Sequence, residues 1–219
     1  MVALVGDNGA GKSTLIKCVA GTHMPDEGAI FFEGREVKIH TPSDATRLGI
    51  ETVYQDLALC DNLDVVANMF LGRERAEPAG IGPLGELDME KRSLEVLSGL
   101  QVTTIRSVRQ HVATLSGGQR QSVAISRAVM WNSKVVVLDE PTAALGVAQT
   151  AQVLALIKRL REQGLGVVVI THNLHEVFEV SDRIIVLRLG RRVATFKHEE
   201  TTPEEVVAWI TGASQRRVA

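Results

Sequence analysis

The chain has 219 residues, of which 45% are hydrophobic and 23% are charged, and its formal net charge is −2. This composition is that of a globular domain with a real core, and no apolar run approaches the roughly 18 residues of a membrane-spanning helix. A nucleic-acid binder would usually show a basic surplus, so the charge argues against that class. Cys18 and Cys60 form no CxxC pair and do not indicate a disulfide framework or a zinc site.

Short apolar runs rich in β-branched residues alternate with stretches of helical spacing. Taken in chain order, strands are predicted at residues 2–5, 51–54, 135–138, 167–170 and 184–187. Helices are predicted at residues 12–20, 147–163 and 174–179, and a last short helix begins at 203. Two further runs, 29–32 and 36–39, flank Glu33-Gly34-Arg35 and predict a hairpin at the sheet edge. The alternation indicates an α/β fold with a mainly parallel sheet and a small antiparallel patch.

The middle of the chain has a different character. Residues 64–71, 88–100 and 119–130 have helical spacing, and residues 76–85 form a loop rich in Gly and Pro. We therefore expect a single domain over 1–219, in which a helical subdomain at 63–130 is inserted into an α/β core made of 1–62 and 131–219.

The stretch from Gly6 to Ser13 fits the phosphate-loop pattern GxxxxGKS/T, directly after a strand and at the start of a helix. Glycines let successive N–H groups point at phosphate oxygens, and the helix dipole adds to the attraction. Lys12 is expected to reach the β- and γ-phosphates of ATP, and the Ser13 hydroxyl to bind Mg²⁺. The predicted ATP-binding residues are Gly6, Asn8, Gly9, Gly11, Lys12, Ser13 and Thr14.

Asp139 and Glu140 follow the predicted strand at 135–138. Ligands bind at the carboxyl ends of strands in open α/β sheets. Asp139 is therefore predicted in the Mg²⁺ shell, and Glu140 as the group that polarises the attacking water. In isolation, two acids at a strand end are commonly only solvated; the phosphate loop is what favours the functional interpretation.

Leu115-Ser116-Gly117-Gly118-Gln119 opens a second helix and makes another anion-receiving N-terminus. One nucleotide needs only one phosphate loop. A second anion-binding helix N-terminus therefore suggests that the γ-phosphate is shared with another copy of the protein.

Over essentially its whole length, the sequence resembles the nucleotide-binding subunit of an ABC transporter, because the phosphate loop, Gln55, LSGGQ, VVVLDEP and His172 occur in that family's order. The resemblance implies a RecA-like P-loop NTPase core and a homodimer that sandwiches two ATP molecules. Ser116, Gly117, Gly118 and Gln119 would then act in trans, with Ser116 and Gly118 on the γ-phosphate.

Two single residues take their roles from the same resemblance. Gln55 matches the family's Q-loop, which touches Mg²⁺ or the water and couples to the transmembrane subunits. His172 matches the switch histidine, which touches the γ-phosphate and Glu140. Without the resemblance, a Gln after a strand is usually a turn residue, and a lone His at a strand end is more often structural.

Residues 54–63 and 141–147 resemble the corresponding strings of monosaccharide importers of the ribose, xylose and fructose type. This implies an ATPase on the cytoplasmic face of the inner membrane, bound peripherally to permease subunits and served indirectly by a periplasmic sugar-binding protein. Sugar contacts lie on other subunits in that family. The alternatives are a soluble ABC ATPase outside transport and a nucleotide-binding regulator with little turnover.

The sequence departs from the family pattern in two places. Gly146 stands where the family commonly has an aspartate that contacts the opposite phosphate loop, so we expect weaker cooperativity between the two ATP sites. Only Met1–Val5 precede Gly6, whereas family members carry further strands and an aromatic residue that stacks on adenine. We expect the given sequence to be a truncated gene model or a fragment.

Overall fold

The computed structural model describes residues 1–75 and 84–213 of the chain. Eight strands form in chain order: β1 (Val2–Val5), β2 (Ile30–Phe32), β3 (Arg35–Val37), β4 (Ile50–Val53), β5 (Val135–Asp139), β6 (Gly166–Ile170), β7 (Arg183–Arg188) and β8 (Arg191–Lys197). Eight α-helices accompany them: α1 (Lys12–Val19), α2 (Pro42–Leu48), α3 (Val65–Phe70), α4 (Glu86–Gly99), α5 (Gly117–Val129), α6 (Val147–Glu162), α7 (Leu174–Val180) and α8 (Pro203–Thr211).

The main sheet has six strands in the order β4-β5-β6-β1-β7-β8. Every neighbouring pair is parallel except β7 and β8, which pair antiparallel at one edge. The central strands are almost continuously apolar, as expected of a sheet covered on both faces. The predicted α/β class and the mainly parallel sheet are confirmed.

The hairpin of β2 and β3 forms where the sequence predicts it, but it does not extend the edge of the main sheet. The two strands pair only with each other and make a separate two-stranded sheet. Ile30 and Phe32 pack instead against a small cluster of Ile39, Ala45 and Ile50. The side chains of the hairpin therefore reach the core, while its backbone hydrogen bonds stay within the pair.

Helices α3, α4 and α5 share a hydrophobic cluster that contains Val65, Phe70, Met89, Leu97 and Val123. The other face of α5 belongs to the main core beneath the sheet, through residues such as Ile125. The predicted helices at 64–71, 88–100 and 119–130 therefore form, and α5 packs into both clusters. Residues 76–83 of the predicted Gly- and Pro-rich loop lie outside the described residues.

Two elements were not predicted. Helix α2 begins at a capping box in which the Thr41 hydroxyl accepts from the Asp44 amide and the Asp44 carboxylate accepts from the Thr41 amide. Its signal, Thr-Pro-Ser-Asp, is visible in the sequence. Strand β8 carries arginines and lies at the sheet edge, where apolar content is a weak signal. In the described ranges, no helix is long and apolar enough to cross a bilayer.

Candidate nucleotide site

Most of the predicted site residues gather at the carboxyl edge of the main sheet. The loop that begins at Gly6 follows β1, Gln55 lies two residues beyond β4, Glu140 follows β5, and His172 follows β6. The register brings these strand ends level, because Asp139 pairs with Ile170 and Ile170 borders β1. Parallel strands thus deliver four separate chain segments to one edge of the sheet, as in other open α/β proteins.

The phosphate loop packs closely against β7. A Cβ atom built on Gly6 would stand 2.3 Å from the carbonyl oxygen of Leu187, so only glycine fits there. The Gly190 amide, in the turn after β7, donates to the carbonyl of Ala10 at 3.1 Å. The loop is thereby held by backbone contacts to a neighbouring hairpin.

Gly11 is the N-cap of α1 and has a φ of 96°, a left-handed conformation that glycine adopts without strain. Lys12 follows it, and its ammonium donates to the carbonyls of Gly6 at 2.8 Å and Asp7 at 3.1 Å. These bonds hold the charge inside the curl of the loop. The loop and the start of α1 expose Asn8, Gly9, Ser13 and Thr14, together with Asp7 and Leu15.

Glu140 and His172 are in contact. The imidazole Nδ1 of His172 lies 3.0 Å from Oε1 of Glu140, and the Glu140 amide donates to the carbonyl of Ile170 at 2.9 Å. The side chain of Glu140 is 17% exposed, whereas that of His172 is 77% exposed. The carboxylate is therefore sheltered, and the imidazole stands between it and solvent.

Asp139 is half-buried beside this pair. Burial raises the pKa of its carboxyl above the ordinary value, the charge of Glu140 raises it further, and the Lys12 ammonium opposes both effects. A carboxyl whose ionised form is disfavoured in this way is one that a bound cation would stabilise.

The LSGGQ residues are ordered by contacts within their own chain. Ser116 and Gln119 form a capping box at the start of α5, and the side-chain amide of Gln119 donates to the Thr104 carbonyl at 2.6 Å. A Cβ on Gly117 would meet the Leu145 side chain at 2.9 Å, and one on Gly118 would meet Gln149 Cβ at 3.0 Å. These two glycines therefore also allow α5 to approach the start of α6, a packing role that the motif alone does not indicate.

The segment after Gln55 is held by side chains that the sequence analysis missed. The guanidinium of Arg127, on α5, donates to the carbonyls of Leu57 at 2.8 Å and Ala58 at 2.9 Å. Burial lowers the pKa of Arg127. The side-chain amide of Asn68 is fully buried and bonds both the N–H and the carbonyl of Cys60. The sequence signal that could have found this contact is weak: Arg127 follows the apolar run Val123–Ile125 of α5 by two residues.

The donor set of the site suits a hard divalent ion. Asp139 and Ser13 offer a carboxylate and a hydroxyl oxygen, which are ligands that Mg²⁺ prefers together with phosphate oxygens and water. Within 1–75 and 84–213, no three His, Cys, Asp or Glu side chains cluster so as to hold a metal by themselves. A cleft of about 560 Å³ opens beside Glu140, Thr142 and His172.

The sequence and the fold are similar to those of known proteins. The ABC transporter family pattern matches residues 1–143. A fructose import ATP-binding protein of Rhizobium meliloti is 48% identical over 98% of this chain and 84% of its own length. A xylose/arabinose import ATP-binding protein of Sulfolobus acidocaldarius is 46% identical over 100% of this chain and 85% of its own.

Solved structures give the same result. The ADP conformation of an ATP-binding cassette of an ABC transporter superposes with a TM-score of 0.78 at 26% identity, covering 96% of this chain and 84% of that one. A dimeric cassette in a post-hydrolysis state with ADP and Pi superposes with a TM-score of 0.73 at 28% identity, covering 90% and 85%.

Proposed function

Because the chain belongs to the ATP-binding cassettes of the ABC transporter family, and is therefore a nucleotide-binding ATPase, we propose that it powers the import of a monosaccharide. The observation that carries the proposal is the assembly of the Lys12 loop, Asp139, Glu140 and His172 at one edge of the sheet. The named functions of its relatives, fructose import and xylose/arabinose import, supply the substrate class.

The phosphate loop binds the triphosphate. Backbone N–H groups at the start of α1 face its oxygens, and the ammonium of Lys12 exchanges its bonds to the Gly6 and Asp7 carbonyls for the β- and γ-phosphates. Gly6, Asn8, Gly9, Gly11 and Thr14 complete the cradle. Binding is mostly positioning and charge neutralisation, since the phosphoryl group needs little covalent help from the protein.

Mg²⁺ would be held by the Ser13 hydroxyl and the Asp139 carboxylate, with Gln55 reaching it or the attacking water. When bound, the ion neutralises charge on the transferred phosphate. The raised pKa of Asp139 supports this assignment, because the cation offsets the cost of ionising a half-buried carboxyl.

Glu140 polarises the water that attacks the γ-phosphate. Oε1 of its carboxylate already accepts from a ring nitrogen of His172. The other carboxylate oxygen, Oε2, is then the one that would accept from the attacking water. His172 is exposed enough to touch the γ-phosphate as well. The pair is thus suited to aligning water and phosphate together.

The site is completed by a second copy of the chain. Ser116, Gly117, Gly118 and Gln119 would face the partner's phosphate loop, with Ser116 and Gly118 on the γ-phosphate. The similarity to a dimeric post-hydrolysis cassette supports this arrangement. Residues 63–130 would act as a subdomain around the α3–α5 cluster, and Gln55 would couple nucleotide state to permease subunits on the cytoplasmic face of the membrane.

Two variants test the catalytic assignment. Glu140→Gln is expected to bind ATP as tightly as the wild type, to lose about 10²–10⁴-fold in turnover and to accumulate as an ATP-bound dimer. Lys12→Ala is expected to lose most ATP binding. Full turnover by Glu140→Gln, measured as phosphate release, would show that another group polarises the water.

The transport assignment needs a membrane test. The chain is reconstituted in liposomes with the permease and sugar-binding protein encoded beside its gene, and uptake of labelled ribose, xylose and fructose is followed with internal ATP. Stimulated uptake of one sugar is the expected result. Turnover without any membrane partner in the neighbouring genes or in pull-downs would favour a soluble, non-transport ATPase.

A further inference from the structure

Glu176, in the first turn of α7, is a buried acidic residue to which the proposed mechanism gives no role. Only 5% of its surface is exposed. Its Oε2 accepts from the Thr142 hydroxyl at 2.5 Å and from the Thr171 hydroxyl at 3.4 Å. Its Oε1 accepts from the side-chain amide of Asn173 at 2.9 Å. All three donors are uncharged side chains.

The donors belong to the two loops that carry the Glu140–His172 pair. Thr142 lies two residues after Glu140, in the loop that follows β5, and Thr171 and Asn173 flank His172 directly after β6. The carboxylate of Glu176 is therefore a single acceptor shared by both loops, on the side of the pair that faces α7.

Internal bonds stiffen the loop after β6 around this acceptor. The Asn173 amide donates to the Thr171 hydroxyl at 3.1 Å, and the Asn173 side-chain oxygen caps α7 by accepting from the His175 amide. Thr171 is 1% exposed and Thr142 is 7% exposed, so water does not readily replace these partners.

We propose that Glu176 is a positioning residue for ATP hydrolysis: it fixes the loop of Glu140 relative to the loop of His172, so that the imidazole and the carboxylate stay in contact. The proposal rests on the hydrolytic role given above to that pair. A carboxylate suits the position because both of its oxygens only accept, and each can take a donor from a different loop. A side-chain amide at this position would keep only one acceptor oxygen, so it could not accept from donors on both sides.

The test compares three variants of the full chain. Glu176→Gln keeps the volume but places an N–H₂ group against one of the donors, and Glu176→Leu removes both acceptors. Glu179→Gln is the matched control, because Glu179 lies on the same helix and pairs with Lys158 at the surface. Steady-state ATPase rates, ATP affinity and thermal unfolding are measured for each.

We expect kcat to fall about 10-fold in Glu176→Gln and about 100-fold in Glu176→Leu, because misplacement of reacting groups by about 1 Å costs that much. KM and Kd for ATP should stay within about twofold of the wild type, since the phosphate loop is untouched. Glu179→Gln should behave as the wild type. A residue with only a structural role would instead lower the unfolding temperature and leave kcat per folded molecule unchanged.

A second readout does not depend on activity. The ring resonances of His172, assigned by their loss in His172→Asn, report the contact of its Nδ1 with Glu140. In Glu176→Leu they should shift toward their positions in Glu140→Gln, and in Glu179→Gln they should not move.

Unchanged His172 resonances or an unchanged kcat in folded Glu176→Leu would overturn the proposal. Failure of the proposed function is a different result: the wild type would release no phosphate, while the His172 resonances would still respond to Glu176.

Discussion

Replacement of Gly6 by alanine tests how closely the phosphate loop is packed against the sheet. The new Cβ would stand 2.3 Å from the Leu187 carbonyl oxygen and 3.0 Å from the Ala10 Cβ, and Gly6 has a φ of 155°. Neither neighbour is the free end of a flexible side chain. The loop or β7 must therefore move by about 1 Å to restore ordinary contact distances.

The cost follows from two effects. Overpacking of a tight contact costs about 1–3 kcal/mol, and a side chain in a backbone region that it rarely adopts costs about 1–3 kcal/mol more. We therefore expect Gly6→Ala to lose about 2–6 kcal/mol of unfolding free energy, which lowers Tm by about 4–24 °C for a domain of this size. ATP affinity should fall with it, because the displaced loop carries the N–H groups that we propose bind phosphate.

Thermal unfolding followed by circular dichroism, with and without ATP, measures both effects. Gly164→Ala is the matched control, because Gly164 has a φ of 84° and nothing lies within 4 Å of its Cβ position. Gly164→Ala should lose only the stability that corresponds to backbone strain, and it should bind ATP as the wild type does. If Gly6→Ala were no less stable than Gly164→Ala, the close approach of the loop to Leu187 would not constrain the fold.

Three further predictions concern neighbouring segments. The pKa of Asp139 is raised in the folded state, so its carboxyl stabilises the fold at acid pH, and this stability is lost as pH rises through the folded-state pKa. Asp139→Asn should therefore raise Tm at pH 7, with a gain that shrinks toward pH 4 and with loss of Mg²⁺-dependent ATP hydrolysis. Gly146 is the N-cap of α6, with open space around its Cβ position. Gly146→Asp should add about 0.2–0.4 kcal/mol of stability and raise the Hill coefficient for ATP, and an unchanged coefficient would count against a coupling role. Arg127→Lys can reach only one of the Leu57 and Ala58 carbonyls, so urea unfolding should show a loss of about 1–2 kcal/mol; a neutral result would mean that the Gln55 segment is held by other contacts.

The parallel sheet and the phosphate loop were predictable because their signals are local. Apolar β-branched runs mark the strands, and the loop pattern names its residues in order. The contact between Glu140 and His172 joins residues 32 positions apart, and it follows only from the adjacency of β5 and β6. No local sequence pattern predicts the order of the strands in the sheet.

The hydrogen-bond partners were less predictable. Glu176 and Asn68 are polar residues in helices, where a sequence pattern suggests a solvated face, yet both are buried among acceptors or donors from loops. Their partners are loop atoms with no periodicity, so only the packed structure identifies them. Edge strand β8 was missed because none of its residues is fully buried and its apolar residues, Val193, Ala194 and Phe196, do not alternate with polar ones.

The bond between the Gly190 amide and the Ala10 carbonyl makes the turn after β7 a sensor of the phosphate loop. That amide can exchange its proton for deuterium only when the turn and the loop separate. Anything that tightens the loop slows this exchange, although the turn itself carries none of the residues assigned to the nucleotide. Deuterium exchange at one exposed glycine thus records how often the phosphate loop separates from the turn.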